Sequence, residues 1–145
     1  MAIRQISVFL ENKQGSLEHV VNVLAEAGVD LRAITIADTQ EFGILRLIVR
    51  GHDTACRALR DAGYIISLNY VTAVEIPDEP GGLLRVLNLI ASTGLNIEYS
   101  YAFLTPMDNK ACVVLRVSDN DIAADILARN GIKTLNARQG DESPL

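Results

Sequence analysis

At 145 residues, with 49% hydrophobic and 21% charged side chains, the chain has the composition of a globular protein able to bury a substantial core. A net charge of −5 argues against a nucleic-acid partner, because phosphate backbones are held by concentrated Lys and Arg. The longest apolar stretches are strand-sized and broken by Arg46, Arg50 or Arg116, and no basic segment runs into an apolar one at the N-terminus, so neither a membrane span nor a secretory signal is read and a cytoplasmic location is expected.

In chain order, the first strand alternates Ile6, Val8 and Leu10 against Ser7 and Phe9, the period of a half-buried strand. Glu11-Asn12-Lys13-Gln14-Gly15-Ser16 follows with turn chemistry and opens an amphipathic helix whose stripe is Leu17, Val20, Val21, Leu24 and Ala25. Gly28 ends that helix, where a left-handed residue is favoured. Residues 30–38 and 44–50 read as a hairpin. A second helix begins near Asp53, turns Ala55, Ala58, Leu59 and Ala62 inward and closes at Gly63, and a last strand covers residues 64–68.

The pattern then returns. Thr72, Val74 and Ile76 answer the first strand, Pro77-Asp78-Glu79-Pro80-Gly81-Gly82 answers the turn, and Leu83, Val86, Leu87, Ile90 and Ala91 answer the helical stripe, as Gly94 does Gly28. The offset is 66 from Gly15 to Gly81, and 68 from Gly63 to Gly131, which places two extra residues between the middle strands of the second copy. Strands over residues 96–105, 111–117 and 132–137, and a helix from near Asp121 with Ala123, Ile126 and Leu127 inward, complete it.

Each copy is therefore βαββαβ: an α+β, ferredoxin-like module with two helices on one face of a four-stranded antiparallel sheet. The expected division is 1–69, 70–138 and a flexible tail over 139–145. The other face of the first sheet is assigned Ile34, Ile36, Ile44 and Ile48 beside Arg32, Arg46 and Arg50, a surface greasy enough to call for cover by the second copy or another chain. Tyr99, Tyr101 and Phe103 take the phase of Leu31, Ala33 and Thr35, the helix-covered side, and are read as packing residues rather than a base-stacking platform.

Cys56 and Cys112 occupy non-equivalent places in the repeat and read as buried apolar side chains rather than a disulfide. His19 and His52 have no Cys or second His at ligand spacing, so no metal and no cofactor is expected. Nucleophile elbow, phosphate loop, dinucleotide fingerprint and zinc-protease helix are all missing, and no catalytic residue is assigned.

Strand, Asp78-Glu79-Pro80-Gly81-Gly82-Leu83, helix and Gly94-Leu95-Asn96-Ile97 together resemble the ACT domain, a small regulatory module marked by Asp-x-Pro-Gly-x-Leu and then Gly-hydrophobic-Asn-Ile. The first copy, Asn12-Lys13-Gln14-Gly15-Ser16-Leu17 with Gly28-Val29-Asp30-Leu31, is similar but lacks the proline and carries Asp for Asn. The resemblance spans residues 3–138 and looks like a stand-alone tandem-ACT protein. It implies a non-catalytic, allosteric regulator that binds an amino acid or similar small effector between its two ACT-like domains or between subunits, as a homodimer, with a separate metabolic enzyme as the regulated partner. The family's ligand contacts come from the strand-to-helix loop and the start of the second strand. Carried over by position, these are Asn12, Gln14, Gly15, Ser16, Asp30 and Leu31 in one copy and Asp78, Pro80, Gly81, Gly82, Asn96 and Ile97 in the other.

The residues themselves are compatible with that role. A glycine at the helix start lets backbone N–H groups approach a ligand, and the helix N-terminus favours a carboxylate. Asp78 can accept from an ammonium, and Asn12 or Asn96 can donate and accept. The same residues also serve as ordinary turns and caps. The alternative function is a protein-interaction subunit of a metabolic enzyme with no small-molecule ligand of its own.

Overall fold

The computed structural model describes residues 2–135. Their contacts gather into two compact units, Arg4–Asn69 and a second from residue 70 onward. The end of the expected last strand and the expected tail over 139–145 lie outside the described residues.

In the first unit the chain runs β1 (Ile3–Glu11), α1 (Ser16–Glu26), β2 (Asp30–Asp38), β3 (Phe42–Arg50) and α2 (His52–Asp61) into β4 (Ile66–Pro77). The strand order is β2-β3-β1-β4, with β1 and β2 each antiparallel to the central β3. The alternation read from β1 puts Ile6, Val8 and Leu10 against Val20 and Leu24 of α1 and against Leu59 of α2, in one core with Leu45, Leu47 and Val49 of β3. Burying a Leu or Val side chain of this kind contributes about 1.5–3 kcal/mol. Ala62, expected to face inward, is exposed, because α2 ends at Asp61; Cys56 is buried in the core instead.

In the second unit α3 (Gly82–Ser92), β5 (Ile97–Ala102), β6 (Lys110–Val117), α4 (Asn120–Arg129) and β7 (Thr134–Leu135) repeat the plan, in the order β5-β6-β4-β7. Its core joins Val74 and Ile76 of β4, Val86 and Ile90 of α3, Val113, Leu115 and Val117 of β6, and Leu127 of α4. The last strand of the first copy and the first strand of the second are one element of 12 residues, not two strands with a break near Leu68. No Gly or Pro interrupts residues 66–76, so nothing stops the strand as it passes from one module to the next.

Both copies carry a β-bulge at the same repeat position, between Leu31 and Ala33 in β2 and between Ile97 and Tyr99 in β5. A bulge moves every later side chain to the other face, and this overturns two expectations. Ile34 and Ile36, paired with Leu47 and Leu45, turn to the helix side, and Ala33, paired with Ile48, takes the opposite face. Tyr99 and Tyr101, paired with Arg116 and Val114, leave the helix-covered side and stack on one another with centroids 6.4 Å apart. The skipped residues are both charged and reach local partners: Arg32 to Asp30 (3.0 Å) and Glu98 to Arg116 (3.4 Å).

Candidate ligand-binding cleft

The strand-to-helix loops are built alike by backbone hydrogen bonds. Lys13 N–H donates to Glu11 O (3.0 Å) and Ser16 N–H to Lys13 O (3.2 Å), as Glu79 N–H does to Pro77 O (3.0 Å) and Gly82 N–H to Glu79 O (3.1 Å). Each loop is also tied to the neighbouring hairpin turn, through Asn12 N–H to Glu41 O (2.8 Å) and Asp78 N–H to Asn109 O (3.0 Å). The residue before each helix is left-handed, Gly15 at φ 82° and Gly81 at φ 85°, a conformation that costs a side-chain-bearing residue about 1–2 kcal/mol.

In the first module this loop borders a cleft of about 560 Å³. Gln14, Gly15 and Ser16 form one wall, and the connection from α2 into β4, at Gly63, Tyr64 and Ile65, forms the other. Phe9 and Phe42 line it from the sheet end, and Glu11 and Lys13 stand at its rim. Tyr64 and His19 are hydrogen-bonded to each other through the phenol oxygen and Nδ1, and burial pushes the Tyr64 phenol up from its ordinary value, so it stays protonated.

Asn12 sits on the other side of the same loop, beside a depression of about 80 Å³ shared with Ser16, Ile36 and Asp38. Its side-chain amide donates to Thr39 O (2.9 Å) and so pins the loop to the hairpin. Asp30 and Leu31 are elsewhere: they pair with Arg50 and Val49, whereas the loop end of β2 pairs Asp38 with Gly43. Eight residues of strand at ~3.3 Å each put about 26 Å between the two ends. The second module repeats the separation, with Ile97 opposite Val117 and Pro77, next to Asp78, opposite Lys110. Asp78, Pro80 and Gly81 are exposed on their loop, Gly82 is buried at the first turn of α3, and Asn96 is exposed just before β5. Each module thus brings its loop residues together and leaves its second-strand residues at the far end of the sheet.

A family model described as an ACT domain pair matches residues 1–141. The chain belongs to the ACT domain pair family. A Bacteroides thetaiotaomicron protein of known crystal structure is 36% identical, with a TM-score of 0.88 over 99% of this chain and 95% of that one. The regulatory subunit of aspartate kinase from Thermus thermophilus, 19% identical, aligns at a TM-score of 0.67 over 88% of this chain and 91% of the subunit. The same subunit from Thermus flavus, 18% identical, aligns at 0.56 over 89% and 92%. At those identities the two subunits share the fold. No protein of curated function matches.

Elsewhere in this ACT pair the titratable groups read as structural. Burial raises both thiols, Cys112 to about 12, where the Glu75 carboxylate adds to the effect. Burial and the Arg4 guanidinium hold the His52 imidazole below its ordinary range. A depression of about 280 Å³ beside it gathers Arg4, Arg57 and Arg60, but Asp53 and Asp61 share the lining and Arg4 pairs with Asp53 at 3.6 Å. Among the described residues no cluster of three His, Cys, Asp or Glu side chains could hold a metal ion, and no helix is long and apolar enough to cross a membrane.

Sequence reasoning missed Phe9, Phe42, Tyr64 and Ile65. The signal was available: these positions are apolar in the first copy, whereas Glu75, Lys110 and Lys133 stand at the repeat positions of Phe9, Phe42 and Ile65.

Proposed function

We propose that this ACT domain pair is a non-catalytic regulator that binds an amino acid or a similar small zwitterion at a strand-to-helix loop, and that its output is carried by a separate enzyme. The observation behind this reading is the cleft of about 560 Å³ against Gln14, Gly15 and Ser16, within the size range of small-molecule sites. Residues 1–69 and 70–138 are taken as its two domains. Because the loop and the second-strand start lie at opposite ends of one module, an effector touching both sets would draw them from the modules of two subunits in a homodimer, the working unit we propose. Binding then shifts the paired arrangement by no more than the effector's differential affinity for the two states.

A thermal-shift screen of the twenty amino acids tests this. An effector at 100 times its Kd adds roughly 2.7 kcal/mol, which raises the midpoint by several degrees in a protein of this size. A screen in which no amino acid moves the midpoint removes the proposal.

A further inference from the structure

The two modules carry the same loop-and-strand elbow with opposite contents. Phe9 N–H donates to Ile65 O (3.1 Å), and at the repeat position Glu75 N–H donates to Lys133 O (3.0 Å). Phe42 pairs with Glu11, and Lys110 pairs with Pro77. The backbone frame is therefore equivalent, with Phe9, Phe42 and Ile65 in one copy standing where Glu75, Lys110 and Lys133 stand in the other.

What fills the frame differs. In the second module Glu75 is only 8% exposed and is held by Lys110 (2.5 Å) and Lys133 (3.5 Å), an ion triad across the elbow. The Lys110 hydrogen bond, with help from Lys133, keeps the Glu75 carboxyl below its ordinary range, so it is a carboxylate at neutral pH. In the first module Phe9, Phe42 and Ile65 are 50%, 57% and 71% exposed around an open cleft. Three large apolar side chains left in water around one cavity mark a binding surface. At its rim Lys13 pairs with Glu11 at 2.9 Å, both well exposed, whereas the repeat positions hold Glu79 and Pro77. Only the first elbow thus offers one charge of each sign beside an apolar wall.

We propose that the chain carries one effector site, in the first module, which takes an α-amino acid with a large aromatic or branched apolar side chain, and that the ion triad closes the equivalent elbow of the second module. The inference rests on the amino-acid-binding reading above and names its ligand class and its location. The ligand's side chain lies against Phe9, Phe42 and Ile65. Its ammonium takes Glu11 and its carboxylate takes Lys13, so the exposed ion pair exchanges partners with the zwitterion.

Isothermal titration of the full chain with L-phenylalanine, L-leucine, L-threonine, L-lysine and L-aspartate tests it, alongside two variants. F9E/F42K/I65K transplants the second module's triad into the first, and Lys13→Glu alone reverses the rim charge with no change in the apolar wall. The expected result is one site per chain, L-phenylalanine or L-leucine at least tenfold tighter than the three polar amino acids, and at least a tenfold loss in each variant with the far-UV circular dichroism retained. If the transplant fails to fold, the Lys13→Glu variant decides alone. Tighter binding of a polar amino acid, two sites per chain, or full affinity in Lys13→Glu overturns this inference and leaves the amino-acid-binding reading standing. No binding of any of the five overturns this inference, and the amino-acid-binding reading falls with it only when the screen of all twenty is blank as well. A dimer that dissociates in F9E/F42K/I65K, in a chain that binds none of the five, assigns the cleft to self-association and likewise overturns it.

Discussion

Replacing Gly82 with Ala should destabilise the second module by about 2 kcal/mol, although Ala is the better helix former. A Cβ at this position would lie 2.3 Å from the carbonyl oxygen of Pro77 and 3.4 Å from its carbonyl carbon. Reaching an ordinary separation requires a shift of roughly 0.7–1 Å, and overpacking of that kind typically costs 1–3 kcal/mol. The carbonyl is poorly placed to yield, since the proline ring restricts its own φ and the oxygen already accepts from Glu79 N–H at 3.0 Å. The helix-propensity gain is at most about 1 kcal/mol in a helix interior and less at a first turn. Gly15→Ala provides a contrast, because nothing lies within 4 Å of its Cβ and only the left-handed φ of 82° is penalised, at about 1–2 kcal/mol. Urea denaturation followed by far-UV circular dichroism measures both. With m of about 1–3 kcal/mol per molar urea, Gly82→Ala should lower its midpoint by about 1 M. The repeat position in the first module is Ser16, so Ser16→Ala should leave the midpoint nearly unchanged. A Gly82→Ala midpoint equal to wild type would refute the close approach of α3 to the Pro77 turn.

Cys56 and Cys112, 5% and 3% exposed with thiols raised by burial, should resist alkylation at pH 8 until the chain unfolds; rapid labelling of the native protein would contradict their place in the packed interior. Leu24→Ala removes a fully buried side chain of the first core and should cost about 2–5 kcal/mol in urea denaturation, with a loss below 1 kcal/mol excluding that packing. Glu75 has a lowered folded value, so the stability it contributes is complete above its unfolded value near 4.5 and is lost as pH falls through the folded one. The deficit of Glu75→Gln relative to wild type should therefore be full at pH 7 and shrink below pH 4.5, and an equal deficit at pH 3 and pH 7 would show that the Lys110 and Lys133 contacts do not act through its charge.

Local chemistry made much of the module readable in advance. Gly28 and Gly94 adopt the left-handed conformation expected where a helix ends, and the helical stripes through Val20, Leu24, Val86 and Ile90 pack where their spacing puts them. The loop halves of the candidate site were readable for the same reason, since a turn followed by a helix is specified by a handful of adjacent residues. The bulges were not. Nothing in Leu31-Arg32-Ala33 or Ile97-Glu98-Tyr99 announces an unpaired residue, because a bulge is defined by a partner strand distant in the chain. Those two bulges decided the facing of Ile34 and Ile36 in one module and of Tyr99 and Tyr101 in the other.

By itself, then, the sequence determined a duplicated βαββαβ chain with glycine elbows, because periodicity and turn chemistry act over a few neighbouring residues. Only the tertiary structure decided which residues share a cleft. Phe9, Phe42 and Ile65 meet because three separated segments pair at one end of a sheet, and Asp30 and Leu31 are kept from Asn12 because β2 runs its full length between them.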